Sequence, residues 1–287
     1  MFKQLGLIGC GLIGGSFALA LKEAGWVERV CGYSATQLTL KTAKDMGVID
    51  EICGDTCSAV MGSDIVLIAI PVQAIEECLK EITPFLGPEC LVMDVGSTKE
   101  NIAQAAKLFM GDKLSQFVPT HPIAGKELVG VTHASAELFR DRPLILTPLA
   151  QTKLQLLDKA HKVWTKLGSK VHKMTPNEHD KAFAAVSHLP HLIAFAYMNG
   201  LIKQSDHEQF LSIAGPGFRD FSRIAGSDPK VWRDIFFANQ PNLKKQLNQF
   251  KVEIEAIEKL IETQDSKELV KFIEISQAAR NQWTLNG

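Results

Sequence analysis

Three short stretches hold residues that could do chemistry. FVPTHPIAGKE (117–127) sets His121 between a buried-strand pattern and the rigid Pro122, with Gly125 and Glu127 following. A histidine in that position is either a packed core residue or a base. Neutral imidazole accepts a proton near neutral pH, and a stiff flanking turn supplies the positioning that such a step needs. SHLPH (187–191) places His188 and His191 around Pro190, with Ser187 ahead of them. GFRDFSRIAGSDPKVWRDIF (217–236) sets Arg219, Asp220, Arg223, Asp228, Arg233 and Asp234 among aromatics. An arginine fork in such a setting suits a carboxylate, although each of the last two stretches, taken alone, also reads as core packing plus surface charge.

A phosphate-binding pattern precedes them. GLIGCGLIGGS (6–16) contains Gly9-x-Gly11-Leu12-Ile13-Gly14, directly after an apolar run and opening a helical one. Gly9 permits the tight turn, Gly11 lets backbone approach a pyrophosphate, and Gly14 lets helix and strand pack closely. The helix N-terminus then faces the phosphates with unpaired N–H groups and a partial positive charge. A dinucleotide is the expected ligand, held by Gly9, Gly11, Leu12, Ile13 and Gly14. Ile70 and Pro71, in IAIPV (68–72), are placed to line its nicotinamide ring. Ser97, in DVGSTK (94–99), is placed beside that ring; it also reads as a cap for the helix that follows, and the two roles are compatible. Where an NAD-binding domain usually carries Asp or Glu at the end of its second strand, this chain has Ser34, so NADP is the expected cofactor, with some use of NAD. Thr36, Gln37 and Lys41 add donors nearby, but no arginine follows Ser34 to clamp a 2′-phosphate.

These residues need elements to hold them. Strand-length apolar runs at 4–9, 29–34, 64–70, 90–95, 116–120, 143–148 and 169–174 alternate with helical patterns at 12–24, from 36, from Pro71, 99–109 and 151–167. Such alternation predicts a mostly parallel α/β sheet of the Rossmann type, with ligands beyond the carboxyl ends of its strands. From residue 174 the pattern is helical almost throughout, with a kink expected at Pro190. The segment 241–264 shows an apolar stripe of Leu243, Leu247, Phe250, Ile254, Ile257 and Ile261 that something must cover. The expected organisation is a dinucleotide-binding domain over 1–173 and an all-α substrate-binding and dimerisation domain over 174–287.

Charge and composition exclude other classes. Lys and Arg number 31 against 32 Asp and Glu, which leaves no basic field for nucleic acid. No apolar run is long enough to span a membrane, and the N-terminus does not read as a signal peptide. Cys53 and Cys57 lack the partners of a zinc site, so the six cysteines read as small thiols in a reducing cytoplasm.

GLIGCGLIGGSFALAL, DVGSTK, HPIAGKE, SHLPH and FRDFSRIAGSDPKVWRDIF, in this order, resemble the prephenate and arogenate dehydrogenases over nearly the whole chain. The resemblance implies NAD(P)-dependent oxidative decarboxylation in tyrosine biosynthesis, from prephenate to 4-hydroxyphenylpyruvate or from arogenate to tyrosine. It makes His121 the acceptor of a hydrogen bond from the ring hydroxyl, and Ser97 the residue that orients it. Arg223 becomes the substrate-binding arginine, Ser187, His188 and His191 a pocket from the helical half, and Glu127 an acid at the pocket mouth. It also implies a homodimer with interlocked helical domains, in the minimal catalytic form without a chorismate mutase or ACT domain. Two readings compete: a related dehydrogenase of the 3-hydroxyacid or imine type, and a dinucleotide-sensing dimer without turnover.

Overall fold

The computed structural model describes residues 1–124 and 130–283. Eight strands form one sheet: β1 (Phe2–Ile8), β2 (Val27–Tyr33), β3 (Glu51–Ile52), β4 (Ile65–Ile68), β5 (Leu91–Asp94), β6 (Phe117–Pro122), β7 (Pro143–Leu146) and β8 (Lys170–Lys173). Their order is β3-β2-β1-β4-β5-β6-β7-β8, parallel throughout except for the antiparallel pair β6–β7, in which His121 faces Ile145. The chain leaves β1 toward one edge and returns at β4 to build toward the other. That reversal opens a crevice at the carboxyl ends of β1 and β4, where dinucleotides bind in such sheets. Helices α1 (Leu12–Glu23), α2 (Gln37–Asp45), α3 (Thr56–Val60), α4 (Val72–Ile82), α5 (Glu100–Phe109) and α6 (Leu154–Lys166) cover the sheet.

The central strands are apolar at nearly every position because helices lie on both faces. One core gathers around Phe17, Phe139 and Trp164, with the Phe17 and Trp164 rings 4.9 Å apart. The other gathers around Ile75, Leu79, Ile102 and Ala106 from α4 and α5. Each large side chain so buried contributes roughly 1.5–3 kcal/mol.

Beyond β8 come α7 (Pro176–Phe183), α8 (Leu189–Leu201), α9 (His207–Ser212), α10 (Pro216–Ser222), α11 (Pro229–Ala238), α12 (Gln240–Glu262) and α13 (Ser266–Gln282). Thr175 starts α7 with a reciprocal capping box to Glu178. The last two helices are barely covered by their own chain. Within α12 only Asn242 and Leu243 are buried, and within α13 no residue is. Ile254 is 46% exposed, Ile261 60% and Ile275 64%. An apolar face of this extent marks an interaction surface. No described helix is long and apolar enough to cross a membrane.

The structure adjusts several expectations. Pro71 stands at the N-cap of α4 rather than as its first helical residue, and α6 begins at Leu154 rather than near 151. Short β3 and α3 lie between β2 and β4, too brief to show a period. Strand β6 runs on through His121 and Pro122, because its antiparallel partner β7 extends the ladder past Thr120. The residues before Pro190 form a π-helical turn, Ala184–His188, between α7 and α8. Proline has no N–H to give the preceding turn, and one widened turn absorbs the mismatch. All six cysteines are unpaired, and five of them are buried.

Candidate active site

The glycines after β1 show why their residue type is required. Gly9 has φ +95°, and a Cβ there would stand 2.1 Å from the Ala69 carbonyl oxygen. A Cβ on Gly14 would stand 2.1 Å from the Gly9 carbonyl oxygen. A Cβ on Gly11, by contrast, meets nothing within 4 Å, so open space lies over the start of α1. No acidic residue occupies the first turn of α1 and no side chain caps it. Its first N–H groups therefore remain for an anion, and the cradle fits a pyrophosphate.

Two cavities extend from this cradle. One of about 450 Å³ runs along Gly9, Gly11, Ser34, Ile70 and Pro71. Thr36 rather than Ser34 caps α2, accepting from the Thr39 N–H at 3.3 Å. Among the described residues no lysine or arginine lines this cavity, whereas Glu77 and Glu81 do. The second, of about 390 Å³, is lined by Gly11, Leu12, Ile13, Ile70, Pro71 and Ser97. A third, of about 580 Å³, begins where that one ends and shares Ile13, Val95, Ser97 and Ala124 with it. Its wall contains Ser97, His121, Ser187, His191 and Arg223. Residues scattered over more than a hundred positions of sequence thus meet around one space of ligand size.

His121 is held from behind. Its Nδ1 lies 2.8 Å from His179 Nε2, and His179 Nδ1 lies 2.8 Å from Asp180 Oδ1. Phe183 stacks on the His179 ring, with centroids 4.4 Å apart, and leans on His121 at 4.8 Å. Below it, the fully buried Lys99 pairs with Asp94 and donates from Nζ to the Thr120 carbonyl oxygen at 2.7 Å. Burial first, and then the neighbouring His179, Lys99 and His188, push the His121 imidazole well below its ordinary pKa. The ring is therefore neutral at physiological pH and can accept a proton.

Ser97 is spared the capping task. The N–H groups of Lys99 and Glu100, at the start of α5, donate to Asp180 Oδ1 and Oδ2 at 2.8 and 2.9 Å. A carboxylate from α7 thus does what a local serine usually does, and Ser97 stands where the second and third cavities meet.

Comparison with known proteins agrees with this arrangement. The family model for the prephenate dehydrogenase nucleotide-binding domain matches residues 17–173, and that for the prephenate dehydrogenase dimerization domain matches residues 175–275. A cyclohexadienyl dehydrogenase of Zymomonas mobilis is 32% identical over 98% of this chain and 96% of its own. A prephenate dehydrogenase from A. aeolicus, solved with hydroxyphenyl propionate and NAD+, superposes with a TM-score of 0.91 at 34% identity, covering 98% of each chain. A Synechocystis arogenate dehydrogenase superposes with a TM-score of 0.83 at 31% identity, covering 98% of this chain and all of its own. The chain belongs to the prephenate dehydrogenase family. It is an NAD(P)-dependent oxidoreductase with a Rossmann-type domain followed by a helical one.

Within this family framework, the π turn sorts the residues of SHLPH. Ser187 and His191, four apart, both reach the cavity, and His191 Nδ1 donates to the Ser187 carbonyl oxygen at 2.9 Å. The His191 ring stacks on Trp232, with centroids 3.6 Å apart. His188 does not line the cavity, contrary to expectation. It is buried, with Nδ1 accepting from Asn239 Nδ2 at 3.1 Å. Burial, above all, pushes its pKa down to about 4. A neutral histidine with that partner supports the fold rather than a substrate anion.

The charged stretch before α12 sorts in the same way. Asp228 caps α11, Arg219 pairs with Asp220, and Arg233 pairs with Asp234. Of these six residues only Arg223 lines the third cavity. Gly125 and Glu127 lie outside the described residues. The sequence reading missed His179, Asp180 and Lys99 altogether. The one available signal was an adjacent His-Asp pair in the second turn of a well-capped helix.

Proposed function

We propose that the chain oxidatively decarboxylates prephenate, arogenate or both, as a homodimer in the cytoplasm. On this reading residues 1–173 bind the dinucleotide, and residues 174–287 close over the substrate and dimerise. The observation that carries it is the shared wall of the second and third cavities. There Ser97 stands between the cradle at α1 and the cavity of His121 and Arg223.

The chemistry follows from what each residue can do. Gly11, Leu12 and Ile13 would hold the pyrophosphate at the α1 N-terminus, with Ile70 and Pro71 against the nicotinamide. When bound, the nicotinamide supplies the acceptor for the hydride that leaves the hydroxyl-bearing ring carbon. His121 accepts the hydroxyl proton as the carbonyl forms. Arg223 holds a substrate carboxylate, and Ser187 and His191 complete the pocket. Loss of CO2 from the opposite ring carbon returns its bonding pair to the ring. The ring then becomes aromatic, and His121 is placed to return the proton to the phenolic oxygen. Steady-state kinetics with both substrates, each crossed against NAD and NADP, test the proposal. Absence of reduced cofactor with either substrate defeats it and favours a sensing role.

Between the dinucleotides we favour NADP, with NAD also used. Ser34 stands where a carboxylate would repel a 2′-phosphate, but no described cation lines the cavity to clamp one. We therefore expect kcat/KM for the two cofactors to lie within about tenfold, and Ser34→Asp to move the ratio toward NAD by about tenfold or more. An NAD preference above that, untouched by Ser34→Asp, removes Ser34 from cofactor selection.

The uncovered face of α12 and α13 supports the homodimer. Sedimentation at micromolar concentration is expected to give twice the 31.6 kDa chain mass. A stable single chain overturns this. A charged substitution at Ile261, which is 60% exposed in one chain, is expected to weaken the assembly.

A further inference from the structure

Behind His121 lies a chain of polar contacts that the reaction itself does not use. We propose that His179 and Asp180 are positioning residues that hold His121 as the tautomer with its proton on Nδ1 and its lone pair on Nε2. The same Asp180 carboxylate ties the Ser97 loop to that histidine. This rests on the catalytic role proposed above for His121.

The donor and acceptor roles follow one another along the chain. Asp180 accepts two backbone N–H groups, from Lys99 and Glu100, at 2.8 and 2.9 Å. Both of its oxygens are thus acceptors of backbone donors, and a carboxylate oxygen only accepts. His179 Nδ1, 2.8 Å from Oδ1, must therefore carry a proton and donate it. His179 is fully buried, and burial lowers its pKa, so the ring is neutral and its Nε2 is a bare acceptor. His121 Nδ1, 2.8 Å from that nitrogen, must then be the donor. In a neutral His121 this leaves Nε2 without a proton, on the ring edge that remains for the cavity. The opposite arrangement would set a bare His179 Nδ1 against a carboxylate oxygen, two acceptors in contact.

The arrangement has a consequence for both sides of the site. When His121 takes the substrate proton on Nε2, the imidazolium still donates from Nδ1 to His179. The Asp180 charge then supports it through the intervening ring. A single carboxylate of α7 thereby sets the tautomer of the base on β6 and the start of α5, and so the loop bearing Ser97. Both catalytic loops come from the dinucleotide-binding half, whereas α7 belongs to the helical half.

The test uses the whole enzyme labelled with 15N in its histidines, with the His121 signals assigned by their loss in His121→Asn. Wild type is expected to show a protonated Nδ1 and an unprotonated Nε2 at His121, whether or not any substrate turns over. A protonated Nε2 in the resting enzyme overturns the proposal on its own. His179→Leu removes the acceptor and is expected to lower kcat about 10²-fold, with KM within roughly threefold, and to shift the His121 tautomer. His179→Gln places an amide oxygen near the lost nitrogen and is expected to recover kcat to within about tenfold of wild type. If kcat falls in His179→Leu while the His121 tautomer stays as in wild type, His179 is only structural and the proposal fails. If His179→Leu does not fold, the wild-type spectrum and the His179→Gln pair still decide. Loss of turnover in wild type with both substrates would instead sink the functional reading, and leave the tautomer as measured.

Discussion

Replacing His121 with asparagine is expected to lower kcat by about 10²–10⁴-fold while changing KM little. Asparagine can still accept a hydrogen bond from the ring hydroxyl, so binding survives. It cannot take the proton, so the developing carbonyl loses its base. The pH profile separates the two roles. The His121 pKa in the folded protein is depressed, chiefly by burial and then by the charge of its neighbours. The active form is the neutral one, so activity is present above that pKa and is lost as pH falls through it. The acid limb of kcat/KM, which reports the free enzyme, should therefore lie below the ordinary imidazole range and should vanish in His121→Asn. That limb belongs to the coupled pair of His121 and His179 rather than to one ring. A variant that keeps near-normal kcat, or that keeps the acid limb unchanged, would remove His121 from the mechanism.

What the sequence could show, and what it could not, divides along the range of the interactions. Gly9 and Gly14 were legible because each carries a local constraint: Gly9 needs φ +95° for the turn, and a Cβ on Gly14 would stand 2.1 Å from the Gly9 carbonyl oxygen. The alternation of strands and helices was legible because a buried parallel strand is apolar at every position and a covering helix on one face only. The apolar stripe of α12 was legible for the same reason, and Ile254 and Ile261 on it are exposed in the single chain.

The histidine network was not legible. His121 and His179 lie 58 positions apart, and Lys99 and Asp180 lie 81 apart. No local rule announces such a contact. Ser97 could be read as a cap, as a site residue or as both, and only the distant carboxylate decides, by taking the N–H groups that a cap would take. The difference between His188 and His191 was within reach of periodicity. On a helix, positions 187 and 191 share a face, and position 188 is turned by about 100°. Reading SHLPH as one unit hid that.

Arg223→Ala is expected to raise KM for substrate by roughly 30- to 150-fold, about 2–3 kcal/mol, with a smaller effect on kcat. The lower part of the range for buried charge pairs applies because Arg223 is exposed before a ligand closes over it. A second, independent readout comes from the neighbouring histidine. Burial most of all, and the Arg223 charge as well, lower the His191 pKa, while its bond to the Ser187 carbonyl opposes them. Removing the arginine should raise the His191 pKa, and the titration can be followed by NMR without substrate. Arg223→Lys should keep much of this electrostatic effect yet recover only part of the affinity, since a lysine is a point charge without the two-pronged geometry. Should KM stay unchanged in Arg223→Ala while Tm falls, the arginine serves the turn at 223–226 and not the carboxylate. The search for the cation that neutralises the substrate would then move to His191, already within the same cavity wall and already shifted in the direction that a bound carboxylate would reverse.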